Sequence, residues 1–267
     1  MKNPKISLLI STYNWPEALN TCLRSAINQS EVPDEIIITD DGSKKETRTL
    51  IENYQKKTDI PIIHEWQENN GFRLARVRNL GIARAKYPYL VIIDGDLVLH
   101  KHYIKDQKRN ARFNFFIQGT RVITPPEMKD QILKDETFQF SLFAKNIKNR
   151  KNLIHSNFLS EIASYNTKSM TSIRGIRGCN MSFWKQDLIT VNGFNENFEG
   201  WGREDTELVA RLFNAGMGRR NVKFNCLTAH IYHNERNKEN VGKNHKLYLE
   251  AEKNKTITCE KGLDQHL

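Results

Sequence analysis

The chain has 267 residues, is 38% hydrophobic and carries a formal net charge of +10, enough length for one large domain and enough apolar content to bury its own core. No apolar run is long enough to span a bilayer, and Met1-Lys2-Asn3-Pro4-Lys5 passes directly into a strand pattern without the apolar region of a signal peptide. The basic excess calls for an anionic partner such as a nucleotide, an acidic glycan or an anionic membrane face. Its lysines and arginines carry no helix-turn-helix, zinc-finger or RNA-recognition signature, so nucleic acid is excluded as the expected partner.

The four cysteines, Cys22, Cys179, Cys226 and Cys259, are scattered without metal-finger spacing. That usage fits a reducing compartment, so the expected location is cytoplasmic, with peripheral contact at the inner face of the membrane.

In chain order, Ile6 to Ser11 reads as a buried strand ending in Thr12-Tyr13-Asn14. Pro16 then opens a helix whose Ala18, Leu19, Cys22, Leu23, Ala26 and Ile27 share one face. After Pro33, Glu35 to Thr39 forms a second strand, ending in Asp40-Asp41-Gly42-Ser43. A helix with Leu50, Ile51 and Tyr54 inward leads to a third strand, Pro61 to Trp66, and a third helix, Phe72 to Lys86. Pro88 precedes the apolar strand Tyr89 to Val98, which carries Asp94-Gly95-Asp96. Alternating strands and helices with short connections predict a parallel sheet with right-handed crossovers.

Ligands bind such sheets at the carboxyl ends of the strands. Here those ends carry Tyr13, Asp40, Asp41, Asp94 and Asp96, and no Gly-x-Gly-x-x-Gly follows the first strand, which argues against a dinucleotide. Carboxylates repel phosphate unless a divalent cation stands between them, and Asp-x-Asp is able to chelate one. The pattern therefore points to a nucleoside diphosphate bound with a metal. Arg73, Arg76 and Arg78 bring cations to the same edge, with Arg73 at the start of a helix where phosphate is favoured. An Asp-x-Asp alone equally describes a solvated turn, and three arginines a solvated helix face.

The run Thr12-Tyr13-Asn14, Asp40-Asp41-Gly42-Ser43 and Asp94-Gly95-Asp96, in that order, resembles the family 2 glycosyltransferases of GT-A fold. The resemblance covers roughly the first 120 residues and implies a Rossmann-like, mostly parallel sheet flanked by helices. It also implies that Ser11, Tyr13, Asp40 and Asp41 hold the nucleoside, most often uridine. Arg73 or Arg78 would meet the diphosphate or donor sugar, Asp94 and Gly95 the ribose, and Asp94 with Asp96 the metal.

Beyond Pro125-Pro126, Glu127 to Arg150 reads as mixed helix with Phe138, Phe140, Leu142 and Phe143, an aromatic-rich cluster expected to pack in a core. Lys145 to Lys151 is a basic run, read as a solvated face or a contact with membrane or acidic glycan. A glycine-hinged loop from Arg174 then enters a strand through Asn180 to Trp184. Next comes Gly200-Trp201-Gly202-Arg203-Glu204-Asp205, where glycines permit a tight turn and Trp201 offers a flat apolar face to a pyranose. Glu204 and Asp205 open a helix, a position that suits acids through the helix dipole alone.

This stretch resembles the carboxyl-terminal region shared by β-1,4-galactosyltransferases and bacterial chondroitin polymerases. The resemblance makes Asp205 the catalytic base and places Glu204, Trp201, Gly202 and Asn180 around the acceptor sugar. Retaining polypeptide N-acetylgalactosaminyltransferases carry Asn where this chain has Asp205, so the aspartate favours inversion. Downstream of an expected strand from Val222 to Leu227 lie His230 and His233. The surrounding Tyr232-His233-Asn234-Glu235 and Lys238-Glu239-Asn240 resemble the metal-histidine segment of chondroitin and hyaluronan polymerases, which assigns the ligand to His233 with His230 second. An Asp/His site suits Mn2+ better than Mg2+.

The expected organisation is a nucleotide-sugar-binding half (1–120), an insert with the acceptor half (121–240) and a helical tail (241–267), with Asp264 to Leu267 disordered. The expected activity is inverting, metal-dependent transfer from a UDP-sugar to a glycan or glycolipid hydroxyl, in bacterial surface polysaccharide or lipooligosaccharide synthesis. The alternatives are a sugar nucleotidyltransferase, which leaves the Trp201 to Asp205 stretch without a task, and a non-catalytic glycan-binding module, which leaves the metal motif without one.

Overall fold

The structure, a computed structural model, describes residues 3–134, 146–165, 171–234 and 240–267; the cluster Phe138, Phe140, Leu142 and Phe143, expected to pack in a core, lies outside these. Among the described residues ten strands are defined: β1 (Ile6–Thr12), β2 (Glu35–Asp40), β3 (Ile62–Trp66), β4 (Tyr89–Asp94), β5 (Leu97–Leu99), β6 (Phe115–Gln118), β7 (Thr120–Ile123), β8 (Asn180–Trp184), β9 (Gly218–Asn221) and β10 (Leu227–His230). The helices are α1 (Pro16–Ile27), α2 (Lys45–Lys57), α3 (Leu74–Arg84), α4 (Tyr103–Asn110), α5 (Lys129–Lys134), α6 (Asn157–Tyr165), α7 (Lys185–Thr190), α8 (Glu204–Asn214) and α9 (Val241–Lys253).

Seven strands form one sheet in the order β3-β2-β1-β4-β8-β6-β9. The β3-β2-β1-β4 block is parallel, as the alternating pattern predicts, and β8 runs antiparallel to both β4 and β6. β1 and β2 are buried along their whole length because both faces are covered. On one face α1 lays Leu19, Cys22, Leu23 and Ala26 against the sheet. On the other, α3 comes close at Gly81, where a Cβ would stand 2.3 Å from a methyl of Thr39. A second, smaller sheet has the order β5-β10-β7. Among the described residues no helix is long and apolar enough to cross a membrane.

Three expectations require correction. The predicted strand Tyr89 to Val98 is two strands belonging to different sheets. Gly95 N–H still bonds the Ser11 carbonyl of the large sheet at 2.8 Å, whereas the Asp96 carbonyl accepts Ile231 N–H of the small sheet at 2.9 Å. The Asp94-Gly95-Asp96 turn is therefore the point where the chain changes sheets.

The strand expected at Val222 to Leu227 is replaced by β9 and β10 on either side of it. Phe224 and Cys226 between them take positive φ values of 61° and 52°, incompatible with an extended run. The tail expected to be disordered is anchored. Leu263 is fully buried, Asp264 N–H bonds Asn192 Oδ1 at 2.8 Å, and His266 Nε2 lies 2.6 Å from Glu196 Oε1.

Candidate active site

A cavity of about 570 Å³ opens where the carboxyl ends of β1 and β4 meet the small sheet and the start of α8. Ser11, Tyr13, Asp41, Arg78, Asp94, Gly95 and Asp96 line one part of it, and Trp201, Glu204, Asp205, His230 and His233 another. Residues up to 222 positions apart in sequence are brought here by strand register. Ser11 pairs with Asp94 across β1 and β4, and His230 pairs with Leu97, the neighbour of Asp96, across β10 and β5.

Asp96 faces both histidines. Its Oδ2 lies 3.4 Å from His230 Nε2 and 3.2 Å from His233 Nε2. Burial acts to raise the Asp96 pKa, but the two imidazoles outweigh it and hold the carboxyl well below the usual range. His233 Nδ1 lies 2.7 Å from the Asn234 carbonyl. A carbonyl only accepts, so that nitrogen carries a proton; Nε2 then donates to the carboxylate when the ring is charged, the state that lowers Asp96, and turns a lone pair toward it when the ring is neutral.

In the neutral state two acceptors face each other, an arrangement that a cation between them would satisfy. Asp96 Oδ1 and His230 Nδ1 are, in addition, buried without a hydrogen-bond partner among the described residues. One oxygen and two nitrogen donors, all within 4.8 Å of one another, thus fit a divalent transition metal.

Arg78, 1% exposed, sits beneath the opposite wall. It donates to Asp94 Oδ1 at 3.0 Å, stands 3.6 Å from Glu204 Oε1 and stacks over the Phe194 ring. Burial and the adjacent Asp205 carboxylate push Glu204 up to about 7, with Arg78 opposing them. Asp205 lies in the first turn of α8. Its Oδ2 accepts Gly178 N–H at 2.7 Å, and its Oδ1 accepts both the Thr206 N–H at 2.6 Å and the Thr206 hydroxyl at 3.0 Å. These donors fix its direction. The turn before it needs left-handed backbone at Gly200, Gly202 and Arg203; at Gly200 a Cβ would also meet the Asn240 side chain at 2.4 Å.

Several predicted contacts fall outside the cavity lining. Asn180 is 1% exposed and structural: its amide donates to the Thr120 and Cys226 carbonyls and its oxygen accepts the Tyr103 hydroxyl at 2.7 Å, tying the two sheets to α4. Asp40 is turned into its own turn, accepting Ser43 N–H at 2.8 Å and facing His64 Nε2 at 2.9 Å. Arg73 caps α3, giving its backbone N–H to Asp41 Oδ2 at 3.0 Å and its side chain to the Glu68 carbonyl. Gly202 shapes the turn rather than the wall.

Conversely, Arg121, Lys148 and Arg177 line the cavity without having been singled out. Lys148 belongs to the basic run read as a solvated or membrane-facing segment. Its backbone pairs with Ile123 at 3.1 and 3.3 Å, and that bridge carries it to the rim. Nothing in local spacing reports such a pairing.

Comparison with known proteins places this architecture. Residues 7–174 match the model of glycosyl transferase family 2, and residues 160–237 match one described as the N-terminal domain of galactosyltransferase. The chondroitin synthase of Pasteurella multocida (strain Pm70) is 29% identical over 233 residues, covering 80% of this chain and 23% of the relative. That of Escherichia coli is 26% identical over 258 residues, covering 86% and 34%. The chain thus spans a quarter to a third of the length of these relatives.

Among solved structures, GalNAc-T7 with UDP, GalNAc and Mn2+ superposes with a TM-score of 0.64 at 14% identity, covering 93% of this chain and 48% of that one. The mannosyltransferase PcManGT from Pyrobaculum calidifontis, in complex with GDP-Man and Mn2+, gives 0.60 at 15%, covering 86% and 57%. At such identities the likeness speaks for the fold, which is GT-A. With the family model spanning well over half of its residues, the chain belongs to glycosyl transferase family 2.

Proposed function

We propose that this protein is an inverting, metal-dependent glycosyltransferase that moves a hexose or N-acetylhexosamine from a UDP-sugar to a hydroxyl of a glycan or glycolipid acceptor. The observation that carries the reading is the placement of Asp205 in the same cavity as the Asp96, His230 and His233 donor set. The acceptor-side carboxylate and the metal-type donors come from different elements yet share one space, as displacement at an anomeric carbon requires. The Mn2+ and nucleotide named with both structural neighbours support the cofactor and donor class. The polysaccharide synthases among the relatives support a glycan product of bacterial surface type.

In this reading Asp96, His230 and His233 hold Mn2+ or Mg2+, and the bound ion supplies Lewis-acid neutralisation of the leaving diphosphate. Tyr13 and Asp41 stand at the nucleoside end, with Asn69 donating to the Tyr13 hydroxyl at 3.1 Å. Arg78 fixes Asp94 by its ion pair and so sets the floor of the donor site. Trp201, 44% exposed, offers its ring to the acceptor sugar. Asp205, held by Gly178 and Thr206, takes the proton of the attacking hydroxyl as it approaches from the face opposite the leaving group.

The test is calorimetric titration of UDP in Mn2+ and again in EDTA. Binding in Mn2+ that vanishes in EDTA is expected, and equal binding in both, or none in either, overturns the metal and nucleoside assignments. In the same assay Asp205→Asn should keep Mn2+-dependent UDP binding while losing about 10²–10⁴-fold in transfer rate, the usual worth of a general base. Near-normal turnover by that variant removes Asp205 from the role.

A further inference from the structure

Three histidines with no part in the active site gather beyond the end of β5. His100 and His102 flank Lys101 before α4, Asp106 lies in the first turn of α4, and His155 precedes α6. The His100 ring stacks on that of His155 with centroids 4.6 Å apart and planes 19° from parallel. The His102 ring lies 5.3 Å from His155.

Asp106 is only 2% exposed. Its Oδ1 and Oδ2 lie 3.0 and 3.1 Å from His155 Nε2, and Oδ2 also accepts Cys226 N–H at 3.1 Å. One ligand atom from each of His100, Asp106 and His155 lies within 4.8 Å of the other two. Among the described residues only the Asp96, His230 and His233 group shares this property.

The Asp106 carboxylate holds His155 Nε2 by a hydrogen bond, and the Asn225 amide nitrogen, 3.3 Å away, gives its N–H groups to Asn157 Oδ1 and the Phe224 carbonyl. A cation that displaces the Nε2 proton would take the lone pair it leaves and compensate the buried carboxylate. Two imidazoles and one carboxylate form a borderline donor set, suited to Zn2+ and its transition-metal neighbours and poorly to Mg2+ or Ca2+. Access is open as well. A cleft of about 900 Å³ is lined by His102, Asp106 and His155 together with Arg109 and Arg112, and it shares no lining residue with the active-site cavity.

We propose that His100, Asp106 and His155 form a second metal site, of Zn2+ class, separate from the catalytic one. Its ligands come from the end of β5, from α4 and from the segment that leads into α6. A bound ion therefore ties that segment to the body of the fold.

Equilibrium dialysis against Zn2+ tests this on the full chain. Asp96→Ala/His233→Ala, which removes the catalytic donors, should retain one equivalent of Zn2+. Adding His100→Ala/His155→Ala to it should remove that equivalent. Should the combined variant fail to fold by circular dichroism, His100→Ala alone in the Asp96→Ala/His233→Ala background serves, with at least about a tenfold loss of Zn2+ affinity expected. No Zn2+ on Asp96→Ala/His233→Ala, or Zn2+ that persists unchanged after the histidine substitutions, overturns the second site.

Discussion

At the scale of single residues, Glu204 shows how the site sets protonation. It lies between the buried Arg78 guanidinium and the Asp205 carboxylate, and burial with that neighbour raises it from 4.5 to about 7. Over that interval the folded chain binds the proton more readily than the unfolded chain. The contribution of Glu204 to stability is therefore complete below 4.5 and is lost as pH rises through about 7. Melting temperatures of wild type and Glu204→Gln, measured across this range, should show the variant gaining on the wild type as pH rises; a constant offset overturns the assignment. The sequence revealed Glu204 and Asp205 as neighbours at a helix start, where the dipole alone would explain them. Their division of labour depends on Gly178, which meets Asp205 across 27 positions, and on Arg78, which is more than a hundred positions from Glu204. Spacing carries no trace of either.

At the scale of elements, α8 holds more than its periodicity reveals. Leu208, Val209 and Leu212 announce its apolar face, but Glu207 and Arg211, an i,i+4 pair that reads as surface charge, are 1% and 0% exposed. Arg211 donates twice to Glu207 at 2.8 Å, and also to the carbonyls of Val191 and Gly193, fastening the turn after α7 to the helix that carries the proposed base. Replacing it leaves the buried Glu207 carboxylate without its cation and the Val191 and Gly193 carbonyls without their Arg211 donors. Arg211→Met should cost about 3–5 kcal/mol in urea unfolding, the usual result of breaking a buried pair from one side. A loss under about 1 kcal/mol, typical of exposed pairs, rules out this anchoring. The same element-scale logic separates the readable strands from the others. β1, β2 and β4 are short, apolar, bounded by turn residues and buried on both faces, so pattern alone finds them. β9 and β10 are four residues each, and β9 contains Arg219 and Arg220, so their strand character comes from their partners.

At the scale of the whole molecule, the chain as far as Asp94 was legible because β1, β2 and β4 end in polar groups and each helix carries the chain back so that the next strand ends at the same edge. The second half was less so, because its strands join sheets begun far upstream and its glycines and left-handed residues redirect the backbone between them. The carboxyl-terminal tail belongs to that second kind. Leu263, fully buried, packs in the cluster that also holds Ile82, Leu188 and Phe194, between α3 and α7. Leu263→Ala should lower unfolding stability by about 2–5 kcal/mol, as for other core truncations, and a neutral result in thermal unfolding would make the tail an accessory.

The change of sheets at Gly95 divides the cavity wall into two kinds of segment. β7 ends at Ile123 and β8 begins at Asn180. The chain between them sends Lys148, Ile176 and Arg177 to the cavity rim. The metal-type donors stand on β5, β10 and the residues just beyond β10, and Asp205 stands on α8. Rim and proposed chemical groups thus stand on separable parts of the fold. Lengthening, shortening or recharging the stretch from 124 to 179 is expected to alter what the cavity admits while leaving Asp96, His230, His233 and Asp205 in place.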